Sequence, residues 1–252
     1  MSAGQDSRVA LVTGGYGGLG SAICQAFARD GYKVVSTYRS EERKARAVEW
    51  QQAMADEGME VDLVCMDVSD AESCQNGAKE LLERFGRLDV LVNNAGITRD
   101  VVMKKMTVEQ WKEVIHTNLD SVFNVTHPFL NHMLEQGFGR IVNISSVNGQ
   151  KGQFGQVNYS AAKAGIHGFT KALAQEVARK GVTVNTVSHG YAATEMVMSV
   201  PEEVREKILT QIPLGRFAEP GEVARVVRFL ADDQSGFITG ADYSVNGGMH
   251  MH

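Results

Sequence analysis

Short apolar runs alternate with longer amphipathic stretches along almost the whole chain. Apolar, β-branched runs bounded by turn residues predict strands, and here they cover residues 8–13, 33–38, 61–66, 88–92, 140–144, 182–187 and 243–245. Helical apolar spacing predicts helices between them, at residues 21–30, 41–57, 71–85, 107–115, 119–136, 160–180 and 221–231. This alternation predicts an α/β fold, a single doubly wound Rossmann domain with a parallel sheet of about seven strands and helices on both faces.

Composition narrows the class of protein. The net charge is -5 and no basic block occurs, so we expect no nucleic-acid partner. No apolar run approaches the roughly 18 residues needed to span a bilayer, and the first eight residues carry no apolar signal-peptide core. The three cysteines and seven histidines show no metal-ligand spacing. We therefore expect a cytoplasmic protein without a membrane or metal site.

A glycine-rich segment, residues 13–20 with the sequence TGGYGGLG, separates the first predicted strand from the first predicted helix. Glycines at such a junction let the backbone turn tightly and approach a pyrophosphate at the helix N-terminus. The alternative is a plain strand-to-helix turn. The position directly after strand one favours dinucleotide binding.

The end of the second strand bears on the choice between NAD and NADP. An acidic residue there would bind the ribose 2′-hydroxyl, whereas an arginine favours a 2′-phosphate. The chain has Arg39 at this place and no acidic residue before Glu41. A guanidinium binds phosphate oxygens in a fork, so Arg39 predicts NADPH. The alternative is a solvated surface arginine.

Tyr159 and Lys163 are four residues apart in an alanine-containing helical segment. At this spacing they project from one face of a helix, one turn apart. A phenol has a pKa of about 10, and a neighbouring ammonium lowers it. The pair therefore predicts a proton donor or acceptor in which Lys163 lowers the pKa of Tyr159.

In this order, these motifs resemble the short-chain dehydrogenase/reductases over essentially the whole chain. The matching positions are residues 13–20, Asp67 with Val68, residues 93–96 (NNAG), Asn118, Ser146, and Tyr159 with Lys163. Residues 94–102 and 142–170 are similar to the bacterial acetoacetyl-CoA reductases of polyhydroxybutyrate synthesis. The β-ketoacyl-ACP reductases are less similar around the GQKGQFGQ segment that begins at Gly149.

The resemblance implies a catalytic role for Asn118, Ser146, Tyr159 and Lys163. Tyr159 would give a proton to a carbonyl oxygen as hydride reaches its carbon, and Lys163 would bind the nicotinamide ribose. Ser146 would hold the carbonyl near the tyrosine. The adjacent Ser145 is the competitor, but the family's spacing to the tyrosine favours Ser146. Asn118 would hold a water that links Lys163 to solvent.

The resemblance also implies which residues contact the cofactor. They are Gly14, Tyr16, Gly18, Leu19, Gly20, Arg39, Asp67, Val68, Asn94, Ala95, Gly96, Tyr159, Lys163, Gly190 and Thr194. Asp67, Ser69 and Asp70 are also alternative caps of the helix predicted at residues 71–85. On this basis the chain is one domain, with a cofactor-binding half in residues 1–140 and a catalytic and substrate half in residues 141–252.

For the substrate, the resemblance implies contacts with an acyl group and a pantetheine arm. The residues are Asp100, Ser146, Gln153, Phe154, Gln156, Tyr159 and Tyr191. The amides of Gln153 and Gln156 and the rings of Phe154 and Tyr191 suit an amide-bearing, partly apolar arm. The alternative for the loop residues is an ordinary polar loop.

The segment after strand six departs from the family pattern at His189, at Ala192, where relatives often carry a larger apolar residue, and at Glu195, which replaces an aspartate. His189 stands where a proline is expected after strand six. Proline fixes φ and removes an N–H, so its replacement predicts a looser turn with altered substrate or cofactor preference. A neutral variant with the same activity is the alternative.

Taken together, the residues and the resemblance imply NADPH-dependent reduction of a 3-oxoacyl-CoA, acetoacetyl-CoA above all, to the (3R)-3-hydroxyacyl-CoA by a homotetramer. Among enzymes, the alternative is a 3-oxoacyl-ACP reductase or a broad-specificity ketoreductase. A non-catalytic dinucleotide-binding protein is the alternative from another class. The intact set of Ser146, Tyr159, Lys163 and Asn118 counts against it.

Overall fold

Seven parallel strands form one sheet in residues 7–251, the part of the chain that this computed structural model describes. The strands are β1 (Val9–Val12), β2 (Lys33–Tyr38), β3 (Val61–Cys65), β4 (Val90–Asn93), β5 (Gly139–Ser146), β6 (Val182–His189) and β7 (Asp242–Val245). Their order across the sheet is β3-β2-β1-β4-β5-β6-β7. The first six residues, for which the sequence predicts no signal peptide, and His252 lie outside the described residues.

Helices connect the strands and cover both faces of the sheet. They are α1 (Gly18–Arg29), α2 (Glu41–Asp56), α3 (Ala71–Phe85), α4 (Val108–Ile115), α5 (Ser121–Gln136), α6 (Val147–Lys151), α7 (Val157–Val177), α8 (Glu195–Met198), α9 (Glu202–Leu209) and α10 (Pro220–Ala231). A π-helical segment, His116–Asp120, joins α4 to α5. Short 3₁₀ segments lie at Met103–Lys105, Ala178–Lys180 and Asp233–Ser235.

The alternating side chains of β1 show how the layers form. Val9 and Leu11 belong to the core beneath α3, α5 and α7, whereas Ala10 and Val12 belong to the core beneath α1, α2 and α10. Successive strand residues point to opposite faces, so an unbroken apolar run needs cover on both sides. The α/β fold class predicted from the sequence is confirmed.

Several elements differ in extent from the sequence expectation. The strands β5 and β6 continue two residues further than predicted, because their pairing persists to Ser146 opposite His189. Helix α7 begins at Val157 rather than at residue 160, so Tyr159 lies in its first turn. The helices α6, α8 and α9 were not predicted. Helices α6 and α8 have only five and four residues, which give little periodic signal, and α9 has no buried residue that would mark an apolar face.

The winding of the sheet reverses between β1 and β4. From β1 the sheet continues to β2 on one side, and from β4 it continues to β5 on the other. Open parallel sheets bind ligands in the crevice at such a point, outside the carboxyl ends of the strands. In residues 7–251, no helix combines the length and the apolar character needed to cross a membrane.

Candidate active site

The glycine-rich segment forms a tight loop between β1 and α1. Gly14 has a φ of 65°, in the left-handed region that favours glycine. The Gly17 N–H donates to the Gly14 carbonyl over 3.2 Å. Helix α1 begins at Gly18, and its N-cap Gly17 has no side chain to cap the first amides. The loop therefore presents backbone N–H groups at a helix N-terminus, which is the arrangement that binds a phosphate.

Gly20→Ala is expected to distort this loop. The added Cβ would lie 2.4 Å from the Gly14 oxygen and 2.8 Å from Asn94 Nδ2. Overpacking of this kind destabilises by about 1–3 kcal/mol, so urea unfolding should show a loss of that size, and dinucleotide binding should weaken. Gly168→Ala in α7 is the matched control, because among the described residues nothing lies within 4 Å of its added Cβ. Equal stability of the two variants would contradict this packing.

Hydrogen bonds tie the loop after β4 to the glycine-rich segment. Thr13 Oγ1 accepts from the backbone N–H groups of Asn94 and Ala95, both at 3.0 Å. Asn94 Nδ2 donates to the Thr13 carbonyl at 2.9 Å. Asn94, predicted only as a cofactor contact, therefore holds together the two loops that flank the crevice.

Arg39 and Asp67 form an ion pair at the carboxyl ends of β2 and β3. Arg39 Nε donates to Asp67 Oδ2 at 2.9 Å, and the Arg39 side chain is 64% exposed. Burial raises the pKa of Asp67, but the Ser69 hydroxyl and Arg39 outweigh burial and leave the pKa below its ordinary value. Asp70, rather than Asp67 or Ser69, caps α3, because its Oδ1 accepts from the Ser73 N–H at 2.8 Å.

The other predicted cofactor residues lie near the same edge of the sheet. Thr194 packs on the glycine-rich loop, since a Cβ on Gly18 would lie 2.7 Å from Thr194 Cγ2. Tyr16 is half-buried. Leu19 and Val68 pack in the two cores on opposite faces of the sheet.

Asn118 is buried in the π-helical segment, where its side chain binds the backbone of Ile97. Its Oδ1 accepts from the Ile97 N–H and its Nδ2 donates to the Ile97 carbonyl, each at 2.8 Å. A Cβ on Gly96 would lie 2.9 Å from Asn118 Oδ1 and 3.6 Å from Lys163 Nζ. Glycine at position 96 therefore permits the close approach of this loop to Asn118 and Lys163.

Ser146, Tyr159 and Lys163 meet at the carboxyl end of β5. Ser146 ends β5, and the other two residues lie one turn apart in α7. Lys163 Nζ lies 5.7 Å from the centre of the Tyr159 ring and donates to the Ile144 carbonyl at 2.7 Å. Lys163 is only 4% exposed. The structure thus brings these predicted catalytic residues together in a largely buried setting.

Burial dominates the acidity of this cluster. It raises the pKa of Tyr159 to about 12, while the Ser146 side chain acts to lower it. Burial also lowers the pKa of Lys163 to about 8. The net shift of the Tyr159 pKa is therefore upward, opposite in direction to the lowering expected from the pair, because desolvation of the phenol outweighs the other effects. At neutral pH Tyr159 is therefore protonated, as a proton donor must be.

The two adjacent serines have different partners. Ser145 is fully buried. Its Oγ donates to the Lys163 carbonyl at 2.9 Å and lies 2.9 Å from His167 Nε2. Ser146 Oγ accepts from the Asn148 N–H at 3.1 Å and lies beside Tyr159. Of the two serines left open by the sequence, the geometry favours Ser146 as the substrate contact.

Asp100, Gln156 and Asn148 form a hydrogen-bonded chain, which we call the amide chain. Gln156 Nε2 donates to Asp100 Oδ2 at 2.8 Å, and Asn148 Nδ2 donates to Gln156 Oε1 at 2.9 Å. Burial raises the pKa of Tyr191, the Asp100 charge adds to this, and the Asn148 side chain opposes it. The Tyr191 hydroxyl therefore adjoins the amide chain.

Gln153 and Phe154 stand apart from the amide chain, although they were predicted as substrate contacts. Gln153 Oε1 accepts from Lys151 Nζ at 3.3 Å. The Phe154 side chain is 87% exposed. In the described residues, neither of these contacts joins the two side chains to the amide chain.

His189 remains part of the sheet. It pairs with Ser146 on one side and Val245 on the other, and the next N–H, that of Gly190, donates to the Val245 carbonyl at 2.9 Å. The imidazole Nδ1–H donates to the Gly190 carbonyl at 2.6 Å. Burial lowers the pKa of His189 to about 4, so the ring is neutral at neutral pH. Strand pairing thus continues through His189 itself, and the loosening of the turn relative to a proline stays a prediction.

Comparison with known proteins identifies the family. A sequence model of the family described as short chain dehydrogenase matches residues 8–205. The chain belongs to this family. It is therefore an oxidoreductase that acts on a CH–OH or C=O group with a nicotinamide dinucleotide cofactor.

Several relatives of this dehydrogenase cover nearly its whole length. It is 54% identical to an acetoacetyl-CoA reductase of Allochromatium vinosum, over 98% of this chain and 100% of the relative. It is 56% identical to an acetoacetyl-CoA reductase of Rhizobium meliloti, over 97% of this chain and 99% of the relative. A 3-oxoacyl-[acyl-carrier-protein] reductase of Vibrio cholerae is 44% identical, over 98% of each chain.

The crevice of this short chain dehydrogenase fits a dinucleotide. Gly17 and Gly18 at the tip of the glycine-rich loop are exposed, while a Cβ on Gly15 would lie 2.5 Å from Ser36 Oγ. The loop can thus be approached closely from outside and is packed tightly from within. Within residues 7–251, no group of three His, Cys, Asp or Glu side chains is placed to hold a metal ion.

Some residues that build the site were not among the predicted ones. Thr13 binds two N–H groups of the loop after β4, Ile97 binds both ends of the Asn118 amide, and Asn148 extends the amide chain. The polar type of Thr13 and its place beside Gly14 are a usable signal in the sequence. The contacts of Ile97 are made by backbone atoms, which the residue type does not reveal.

Proposed function

We propose that this short chain dehydrogenase reduces 3-oxoacyl-CoA thioesters, acetoacetyl-CoA above all, to (3R)-3-hydroxyacyl-CoA with NADPH. The cluster of Ser146, Tyr159 and Lys163, at the same edge of the sheet as the glycine-rich loop, carries the proposal. The likeness to acetoacetyl-CoA reductases over nearly the full chain supports the choice of substrate.

Each residue of the cluster has one proposed task. With NADPH bound, the nicotinamide supplies the hydride that reaches the carbonyl carbon. Tyr159 gives its phenolic proton to the carbonyl oxygen, a general acid step. Ser146 Oγ accepts from the Asn148 N–H, so its own hydrogen is available to the same carbonyl oxygen. Lys163 binds the nicotinamide ribose, and its ammonium group lies near the Tyr159 ring, 5.7 Å from the ring centre.

The preference for NADPH is proposed from Arg39. Arg39→Gln is expected to raise the KM for NADPH by roughly 10- to 100-fold, the loss expected for hydrogen bonds to a charged group. The KM for NADH should change little. Arg46→Gln, which replaces an exposed arginine of α2, is the matched control and should leave both values unchanged. A wild-type protein that prefers NADH would contradict this role of Arg39.

A 3-oxoacyl-ACP reductase is the second candidate, favoured by the 44% identity to the Vibrio cholerae protein. Initial rates with NADPH should be compared for acetoacetyl-CoA, acetoacetyl-ACP and a simple ketone. The first proposal expects the highest kcat/KM with acetoacetyl-CoA. A kcat/KM for acetoacetyl-ACP far above that for acetoacetyl-CoA would select the second candidate.

A further inference from the structure

The amide chain has a polarity that is fixed at one end. An ionised Asp100 carboxylate can only accept hydrogen bonds, so Gln156 must direct its Nε2 toward Asp100. The distance from Gln156 Nε2 to Asp100 Oδ2 is 2.8 Å. Gln156 Oε1 is then the acceptor for Asn148 Nδ2, at 2.9 Å. Amide orientation is ordinarily inferred from such networks, and here the charge of Asp100 determines both amides.

The polarity of the chain turns Asn148 Oδ1 away from Gln156. Asn148 is 6% exposed, and among the described residues its Oδ1 has no hydrogen-bond partner. Buried acceptors in proteins are nearly always paired, and leaving one unpaired is unfavourable. The Asn148 N–H binds Ser146 Oγ at 3.1 Å, and the Tyr191 hydroxyl adjoins its amide. The unpaired oxygen thus belongs to a residue in contact with the reacting site.

We propose that Asn148 is a specificity-determining residue whose Oδ1 accepts a hydrogen bond from the amide N–H that follows the thioester in the arm of the substrate. This inference rests on the proposed function and specifies how the thioester arm is recognised. Asp100 and Gln156 act as positioning residues, because they prevent the Asn148 amide from flipping and presenting Nδ2 instead.

The chemistry of the substrate class decides which group can pair with this oxygen. The ketone and the thioester carbonyl of a 3-oxoacyl thioester are acceptors, and its methylene group carries no N–H or O–H. The first strong donor along the molecule is therefore the amide N–H of the cysteamine unit beyond the sulfur. With the ketone held at Ser146 and Tyr159, Asn148 is a neighbouring residue, because its backbone N–H binds Ser146 Oγ and its side chain lies beside the Tyr191 hydroxyl.

The test compares two small thioesters that differ in this N–H. Acetoacetyl-N-acetylcysteamine carries the amide N–H, and S-ethyl acetothioacetate lacks it. In Asn148→Leu, which is similar in size but has no polar side-chain atom, the ratio of kcat/KM for the first substrate to that for the second is expected to fall about tenfold, the loss of one hydrogen bond. Because both substrates are measured on one preparation, the ratio does not depend on the folded fraction.

Two further variants complete the design. Asp100→Asn removes the charge that orients the amide chain, so the same ratio is expected to fall several-fold, on the order of the loss of one oriented hydrogen bond. Asp100 is exposed, so this variant keeps the test open if Asn148→Leu does not fold. Gln175→Leu removes an exposed amide elsewhere on α7, and should keep the wild-type ratio.

The outcomes separate this inference from the proposed function. An unchanged ratio in folded Asn148→Leu or in Asp100→Asn, with both thioesters reduced by the wild-type protein, overturns the role of Asn148 alone. A wild-type protein that reduces neither these thioesters nor acetoacetyl-CoA overturns the proposed function and this inference with it.

Discussion

Phenylalanine in place of Tyr159 is expected to lower kcat/KM for acetoacetyl-CoA by about 10²- to 10⁴-fold, the usual contribution of a general acid. The substitution removes only the hydroxyl that would protonate the carbonyl oxygen, and burial keeps that hydroxyl protonated by raising the pKa of Tyr159 to about 12. The loss should appear mainly in kcat, because the proton is needed as hydride arrives. Initial rates with NADPH over a range of acetoacetyl-CoA concentrations measure it.

The matched control for this prediction is Tyr32→Phe. Tyr32 directly precedes β2 and packs edge-on against Phe27 with 5.1 Å between the ring centres, away from the carboxyl ends of the strands. Its variant should keep wild-type kcat/KM. A Tyr159→Phe enzyme whose rate stays within a few-fold of the wild type, well short of the roughly hundredfold minimum expected of a lost general acid, would show that another group donates the proton.

Replacement of Asp89 by alanine is expected to lower the free energy of unfolding, and by more than Gly20→Ala does. Asp89 is 0% exposed. It accepts from the Val9 N–H at 2.9 Å, from Arg87 Nε at 2.8 Å and Arg87 Nη2 at 2.7 Å, and from Gln136 Nε2 at 3.4 Å. Breaking a buried ion pair costs about 3–5 kcal/mol, and the partial exposure of Arg87 places the expected value for Asp89→Ala near the lower limit.

Urea unfolding at one fixed protein concentration measures this loss, since association would shift the midpoint. Glu83→Ala is the matched control, because Glu83 pairs with Lys79 over 3.9 Å and both side chains are more than half exposed. Surface pairs of this spacing contribute about 0.3–0.5 kcal/mol. Equal losses in the two variants would contradict the structural role of Asp89.

The layered fold could be predicted because each β-strand carries its own signal. In β1 every residue is apolar and buried, and only a sheet covered on both faces satisfies such a run. The ends of the strands were less predictable. Ser145 and Ser146 are polar and look like turn residues, yet they extend β5 because the sheet pairing continues to Ser188 and His189.

Residue spacing and the family resemblance predicted which side chains come together in the site, but not their acidity. Tyr159 and Lys163 share a face of α7 because they are one helical turn apart. Their acidity depends mainly on burial, which other elements of the fold bring about. For this reason the sign of the effect on the Tyr159 pKa could not be obtained from the pair alone.

The effect of His189, at the end of β6, also could not be predicted from the residue type alone. Loss of a proline predicts more freedom, but the histidine ring supplies a hydrogen bond to the Gly190 carbonyl, and the strand pairing holds the backbone. The consequence for substrate or cofactor preference stays a prediction. Comparison of His189→Pro with the wild type on acetoacetyl-CoA and a simple ketone measures it.

The most direct test of the central claim is the steady-state consumption of NADPH by the purified wild-type protein in the presence of acetoacetyl-CoA, followed by analysis of the product's configuration. We expect saturable consumption of NADPH with equimolar formation of (3R)-3-hydroxybutyryl-CoA, and a much lower rate with NADH. Absence of acetoacetyl-CoA-dependent NADPH consumption, in protein that is folded and binds NADPH, would contradict the proposed function.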